Sequence, residues 1–296
     1  MITQDEHLDP SKHAHRAGDN GQFRNVRQHL RVLEEQPMKR LRSIFITGAA
    51  SGIGRSTAML FAQKGWFVGL FDRNEEGLAD VAKQMAKTPC CYQRLDVTDR
   101  VSYQRALEHF AEHTGKTMDV LFNCAGIAFH GPFESVALDD HLRILEVNVK
   151  GTIIGIYLSL ELLRNTPGAK IINMSSASAF YGTPDLAAYS ASKFAIRGLT
   201  EALDIELEHV GMSVGDIMPL FIDTPMNANQ AYKLGSLSVS RSQLTPLRVA
   251  QVVWKAAHQK KVHWSLPWNV KVFRAVATLF PVLQRPIMKL VSGKGI

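Results

Sequence analysis

The stretch Ser43-Ile-Phe-Ile-Thr47-Gly48-Ala49-Ala50-Ser51-Gly52-Ile53-Gly54 decides the fold. Ser43 to Thr47 is short, apolar and rich in β-branched residues, the pattern of a strand buried on both faces. It runs straight into a glycine-rich turn, and helical apolar spacing follows from Ser56 to Lys64. Strand, glycine turn and helix in that order make a cradle for the pyrophosphate of a dinucleotide. Gly48 permits the tight turn, Gly52 lets the backbone approach the phosphates, and Gly54 lets the helix pack on the strand.

Further along the chain the same alternation recurs. Trp66 to Phe71 reads as a second buried strand ending at Asp72, and Cys90 to Leu95 as a third ending at Asp96. Asp119 to Phe122 is a fourth, leading into Asn123-Cys124-Ala125-Gly126. One long helix, Leu138 to Arg164, carries Asn148. Ala169 to Met174 delivers Ser175 and Ser176, Gly211 to Met218 runs into Pro219-Leu220, and Val262 to Leu266 closes the series. Strands alternating with helices predict an α/β fold, a doubly wound parallel seven-stranded sheet (a Rossmann fold) with helices on both faces. Ligand groups of such a sheet belong at the C-terminal ends of its strands.

Asp72 stands where an acid hydrogen-bonds the adenosine ribose hydroxyls and repels a 2′-phosphate, which favours NAD over NADP. Arg73 beside it is suited to holding that phosphate, so NADP stays open. The structural reading of Asp72 is an N-cap for the helix that follows.

A second stretch carries chemistry: Tyr189-Ser-Ala-Ser-Lys193, in the helical run Leu186 to His209. Residues four apart share a helix face. A free phenol has a pKa of about 10. An ammonium roughly 4 Å away, at an effective dielectric of about 20, favours the phenolate by about 4 kcal/mol, or about three pKa units. That would bring the phenol near 7, where general acid–base catalysis works best. Ser176, thirteen residues upstream, would hydrogen-bond the substrate oxygen as its charge changes. Taken alone, the spacing also describes a half-buried tyrosine beside a surface lysine.

In this order and spacing, Thr47-Gly-x-x-x-Gly-x-Gly54, Asp96, Asn123-x-Ala-Gly126, Asn148, Ser176 and Tyr189-x-x-x-Lys193 resemble the short-chain dehydrogenase/reductase family, in its compact single-domain branch. The resemblance covers about Ser43 to Leu266. It implies that Tyr189 is the catalytic acid/base and that Lys193 binds the nicotinamide ribose while lowering the tyrosine pKa. It implies further that Ser176 orients the substrate and that Asn148 holds a water in a proton relay behind the lysine. Asp96 with Val97 would contact adenine, and Asn123, Ala125 and Gly126 would lie beside the adenosine ribose. Gly48, Ser51, Gly52, Ile53 and Gly54 would form the phosphate loop, with Asp72 and Arg73 at the ribose. Thr224 would contact the carboxamide. Ser175 is the rival to Ser176, and the thirteen-residue interval to Tyr189 selects Ser176. One departure is Pro219-Leu220, where the family commonly has Pro-Gly.

Composition sets the outer bounds. In 296 residues, 46% hydrophobic and 21% charged, there is material for a full core. The cysteines are Cys90, Cys91 and Cys124; no pair has metal-ligand spacing, so no metal is expected, and the odd count suits a reducing, cytoplasmic setting. The N-terminus lacks the apolar core of a signal peptide, and no apolar run of transmembrane length occurs. Residues 1–42 read as a polar extension of poor order, with Met38 as a candidate natural start. Asp223 is the last acidic residue; eleven basic residues follow it, so the segment beyond is +11 and the remainder −4.

The dehydrogenase domain is therefore expected over 43–267 with a lid at about 224–240, and 268–296 as a basic amphipathic tail. The tail suits packing on its own domain or on a partner subunit, peripheral contact with anionic lipid, or attraction of acidic substrates. The family resemblance implies a homodimer or homotetramer; no nucleic-acid partner is expected. The activity read from the sequence interconverts a secondary alcohol and a ketone, on a lipophilic substrate, with NAD favoured. Its rivals are an NADPH-dependent 3-oxoacyl-thioester reductase and a redox-sensing dinucleotide-binding protein without chemistry.

Overall fold

The computed structural model describes residues 40–85, 87–220 and 244–266, with 279, 280, 282, 284–286 and 289. Seven strands form one parallel sheet: β1 (Ser43–Thr47), β2 (Phe67–Asp72), β3 (Cys90–Arg94), β4 (Val120–Asn123), β5 (Lys170–Met174), β6 (Ser213–Pro219) and β7 (His263–Leu266). Their order is β3-β2-β1-β4-β5-β6-β7, so the winding reverses between β1 and β4. A crevice at such a reversal is where this architecture takes its ligands.

Among the described residues the α-helices of eight or more residues are α1 (Gly52–Gln63), α2 (Glu75–Gln84), α3 (Arg100–Thr114), α4 (Leu138–Leu145), α5 (Gly151–Arg164), α6 (Ala187–Glu208) and α7 (Pro246–Ala256). All five residues of β1 are buried, because helices cover both faces of the sheet. Ile44 and Ile46 face a core shared with α1, α2 and α7, while Phe45 faces one shared with α3, α5 and α6. On the second face Phe45 stacks on Phe71, with ring centroids 3.9 Å apart, and meets Phe110 edge-on. On the first, Phe61, Trp66 and Trp254 pack edge-to-face and join α1 to α7.

The helix expected as one run from Leu138 to Arg164 is broken in its hydrogen bonding. Glu146–Lys150 forms a π-helical turn between α4 and α5. Apolar periodicity continues through it, so nothing in the pattern marks the widened turn, and such turns gather at functional sites. Asn148 sits inside it. A buried ladder fixes α6 to the sheet: Asn123 Nδ2 donates to Asn173 Oδ1 at 2.9 Å, and Asn173 Nδ2 to Thr200 Oγ1 at 3.0 Å.

The expected N-terminal extension falls outside the described residues except for Arg40 to Arg42, and the lid falls wholly outside them. The tail does so except for the scattered residues from 279 onward. Among the described residues no helix is long and apolar enough to cross a membrane.

Candidate active site

The glycine turn closes on itself. Gly48 has φ +70°, and a Cβ there would lie 3.0 Å from the backbone of Ala125. A Cβ at Gly54 would lie 2.0 Å from the Gly48 carbonyl oxygen. Gly54 is thus required by the loop itself, a closer constraint than helix-on-strand packing. Thr47 Oγ1 accepts from the amides of Cys124 and Ala125, at 3.0 and 3.1 Å, and staples the end of β1 to the end of β4. The sequence motif contains Thr47 without showing this role.

Ser51 caps α1 without a side-chain hydrogen bond, and the first turn holds no acidic residue. The first turn of the helix thus supplies no carboxylate of its own, a setting that fits a pyrophosphate. Gly52 and Ile53 open that turn and are partly exposed. Asp72 ends β2; one carboxylate oxygen accepts from Ala50 N at 3.2 Å, the other from Asn74 N at 3.0 Å. It is not the cap of α2, since Asn74 fills that place and accepts from Gly77 N. Arg73 is exposed.

Asp96 is exposed beyond β3, beside the buried Val97. Desolvation works to raise its carboxyl, but the hydrogen bonds from Thr98, with Arg73 and Arg94 nearby, outweigh it and hold the carboxyl below its usual range. The Asn123 side chain is committed to Asn173 and, at 3.5 Å, to the Tyr103 hydroxyl. What this residue can offer a ligand is its backbone. Thr224 lies outside the described residues.

Tyr189 and Lys193 lie one turn apart near the start of α6. Ser176 precedes the 3-10 turn Ala177–Ala179 just beyond β5; its Oγ accepts from Ser178 N at 3.2 Å, and it lies close enough to Tyr189 to favour the ionised phenol. Ser175 turns the other way: it is buried, with Oγ donating to the Lys193 carbonyl at 3.3 Å. The Lys193 ammonium is 4% exposed and donates to the Met174 carbonyl at 2.8 Å. Asn148 is equally enclosed. Its Oδ1 accepts from Ile127 N at 2.8 Å, and its Nδ2 donates to Ile127 O and to Ser192 Oγ, each at 3.0 Å. Gly126 lies against both, since a Cβ there would be 3.2 Å from Asn148 Oδ1 and 3.7 Å from Lys193 Nζ. Leu220 packs beside Ala177, Phe180 and Met218, so the side chain that replaces the family's glycine is taken up in an apolar cluster.

The protonation pattern differs from the sequence expectation. Burial pushes the Tyr189 phenol above its usual value, and the Ser176 hydrogen bond offsets this only in part. Burial also lowers the Lys193 ammonium to about 8. The cation does not bring the phenol near neutrality, because Nζ lies over the ring face, 5.3 Å from its centroid, and gives its hydrogen bond to Met174. Cys124, just beyond β4, packs against the core on the α1 side, and burial pushes its thiol up to about 12.

A family model described as short chain dehydrogenase matches residues 42–234. The chain belongs to the short-chain dehydrogenase family. This short-chain dehydrogenase is 34% identical over 181 residues to an uncharacterized oxidoreductase of Staphylococcus epidermidis, covering 61% of this chain and 78% of that one. It is 31% identical over 216 residues to an uncharacterized oxidoreductase of Staphylococcus aureus, covering 73% and 90%. Among solved structures, it shares its fold with a short-chain dehydrogenase/reductase from Burkholderia phymatum in complex with NAD. The TM-score is 0.74 at 24% identity, covering 82% of this chain and 95% of that one. Levodione reductase gives a TM-score of 0.70 at 25% identity, covering 76% and 95%. The short-chain dehydrogenase described here is thus an oxidoreductase of a family that uses NAD(P).

The folded chain gives up the Lys193 proton at about 8, before the unfolded chain does at 10.5. Stability therefore rises with pH across that window, where the unfolded state binds more protons. Lys193→Met lacks the group and is expected to lack the rise. Urea unfolding of both proteins between pH 7 and 10 checks it; a wild-type-minus-variant difference that stays constant with pH would contradict it.

Proposed function

We propose that this chain interconverts a secondary alcohol and a ketone, with NAD as the preferred dinucleotide and a lipophilic compound as substrate. The observation that carries this is the convergence of Ser176, Tyr189 and Lys193 beside Gly126 and Asn148, at the C-terminal edge of the sheet. A bound nicotinamide supplies the hydride acceptor or, in the reverse direction, the donor.

The chain's own residues manage the oxygen and its proton. Ser176 and Tyr189 hydroxyls hold the substrate oxygen from one side. In reduction the Tyr189 O–H bond breaks and its proton goes to that oxygen as the carbonyl becomes an alcohol. In oxidation the proton travels back. Lys193 would hold the nicotinamide ribose, with its ammonium beside the Tyr189 ring. Asn148 positions the site by tying Ile127 to Ser192, whose hydroxyl in turn donates to the Tyr189 carbonyl at 2.6 Å. The Asp72 carboxylate, fixed against the glycine loop, would accept from ribose hydroxyls and repel a 2′-phosphate. Arg73, exposed beside it, is the residue through which NADP would enter.

Assembly into a homodimer or homotetramer is part of this reading. Leu138, Leu142 and Leu145 of α4 and Ile153 and Tyr157 of α5 are exposed, with Tyr157 at 70%, a run of apolar surface that self-association would cover. Sedimentation velocity is expected to show a dimer or larger; a monomer at micromolar concentration would overturn it.

The activity is tested by a panel of secondary alcohols with NAD or NADP, and of ketones and 3-oxoacyl thioesters with the reduced dinucleotides, read by reduced-nicotinamide absorbance. Turnover is expected with alcohols and ketones and NAD(H). Because the phenol is held up, oxidation should climb with pH through the neutral and alkaline range, while reduction stays flat until well into the alkaline range. Tyr189→Phe should lower turnover by roughly 10²–10⁴-fold and leave dinucleotide binding intact. Turnover confined to NADPH and thioesters would replace this reading with the reductase alternative, and unchanged turnover in Tyr189→Phe would remove the assigned mechanism.

A further inference from the structure

Away from the crevice, three metal-binding side chains meet between the edge strand β3 and α3. One ligand atom from each of Cys91, His109 and His113 lies within 4.8 Å of the other two. His109 and His113 are four apart and share a helix face. Cys91 is buried and belongs to the core on the α3 side of the sheet. The cysteine spacings in the sequence give no hint of this group, because strand-on-helix packing assembles it.

The hydrogen bonding of His113 leaves one imidazole nitrogen for a ligand. His113 Nδ1 is 2.9 Å from the His109 carbonyl oxygen. A carbonyl only accepts, so Nδ1 carries the proton and Nε2 is left with its lone pair. His109 Nδ1 faces the Glu112 carboxylate at 3.8 Å. Metal-bound imidazoles are held in this manner, one nitrogen turned to an oxygen and the other to the ion. The His113 ring also stacks on Phe67, at 5.9 Å and 25°.

We propose that Cys91, His109 and His113 bind a divalent transition-metal ion of the zinc class. Thiolate and imidazole are zinc donors, with bonds of about 2.3 Å to sulfur and about 2.0–2.1 Å to nitrogen. Tetrahedral bonds of those lengths set the ligand atoms roughly 3.5 Å apart, so binding requires the three side chains to close by at most about 1.3 Å. The thiol proton leaves to solvent as the thiolate binds. His113 is exposed, so the fourth position opens to water. Cys91 lies near the start of β3, at the end of the sheet opposite the candidate active site, and among the described residues β3 pairs only with β2. The ion therefore clamps α3 onto the edge strand and stabilises the fold; it takes no part in proton transfer.

The test uses the full chain, reduced and freed of metal by chelation, then titrated with Co2+. A sulfur-to-cobalt charge-transfer band and the intense visible bands of a four-coordinate ion are expected, both displaced by Zn2+. Zn2+ alone should raise the thermal unfolding midpoint. Cys91→Ser should lose the charge-transfer band, whereas Cys90→Ser should keep it. His113→Gln changes an exposed residue, so its folding is preserved whatever becomes of the cysteine variant. It should weaken Co2+ binding by about 10-fold or more and abolish the Zn2+ effect on the midpoint. No charge-transfer band in the wild type, a band that persists in Cys91→Ser, or undiminished binding by His113→Gln would each overturn the proposal.

Discussion

A lysine ammonium sealed inside the protein is the constraint around which the candidate site is built. Burying a charge is costly unless it is paired or hydrogen-bonded. Here the Met174 carbonyl at the end of β5 accepts a hydrogen bond from the Lys193 ammonium. That contact fixes the beginning of α6 over the sheet edge and so sets where Tyr189 stands. The neighbouring polar groups serve the same placement. The Asn123–Asn173–Thr200 ladder holds α6 from beneath, and Asn148 holds it from the side through Ser192. Gly126 is the residue that lets the loop after β4 come close to both Asn148 and Lys193.

The same enclosure sets the chemistry. Low polarity penalises every charged form, so the phenol keeps its proton and the ammonium loses its own more readily. Attraction between cation and phenolate works against this but acts across the ring face, where it is weaker than a direct contact with the oxygen. A protonated Tyr189 beside Ser176 is an acid in waiting, matched to an oxygen that gains negative charge as its carbonyl is reduced.

Much of this was legible in the residues. Central strands buried on both faces leave continuous apolar runs, and the expected bounds of all seven strands lie within two residues of those observed; the strand order and its reversal between β1 and β4 were not legible. The catalytic candidates were legible because a helix maps a four-residue interval onto one face. Protonation was not, since the order of residues carries no measure of how deeply Tyr189 and Lys193 are enclosed. Nor was the π turn at Asn148, through which the apolar pattern runs without a break, or the Thr47 staple, whose partners are 77 and 78 residues away. Cys91 with His109 and His113 belongs to the same class: contacts made only when a strand and a helix pack.

Whether burial or the neighbouring cation governs the phenol is open to direct observation. Tyrosine labelled with carbon-13 at the ζ position reports each phenol's ionisation, and the Tyr189 resonance is identified by its loss in Tyr189→Phe. The structure predicts that this resonance stays in its protonated position through neutral pH and beyond 10, the usual phenol value. A Tyr189 phenolate forming near pH 7 would contradict it and restore the cation as the dominant influence.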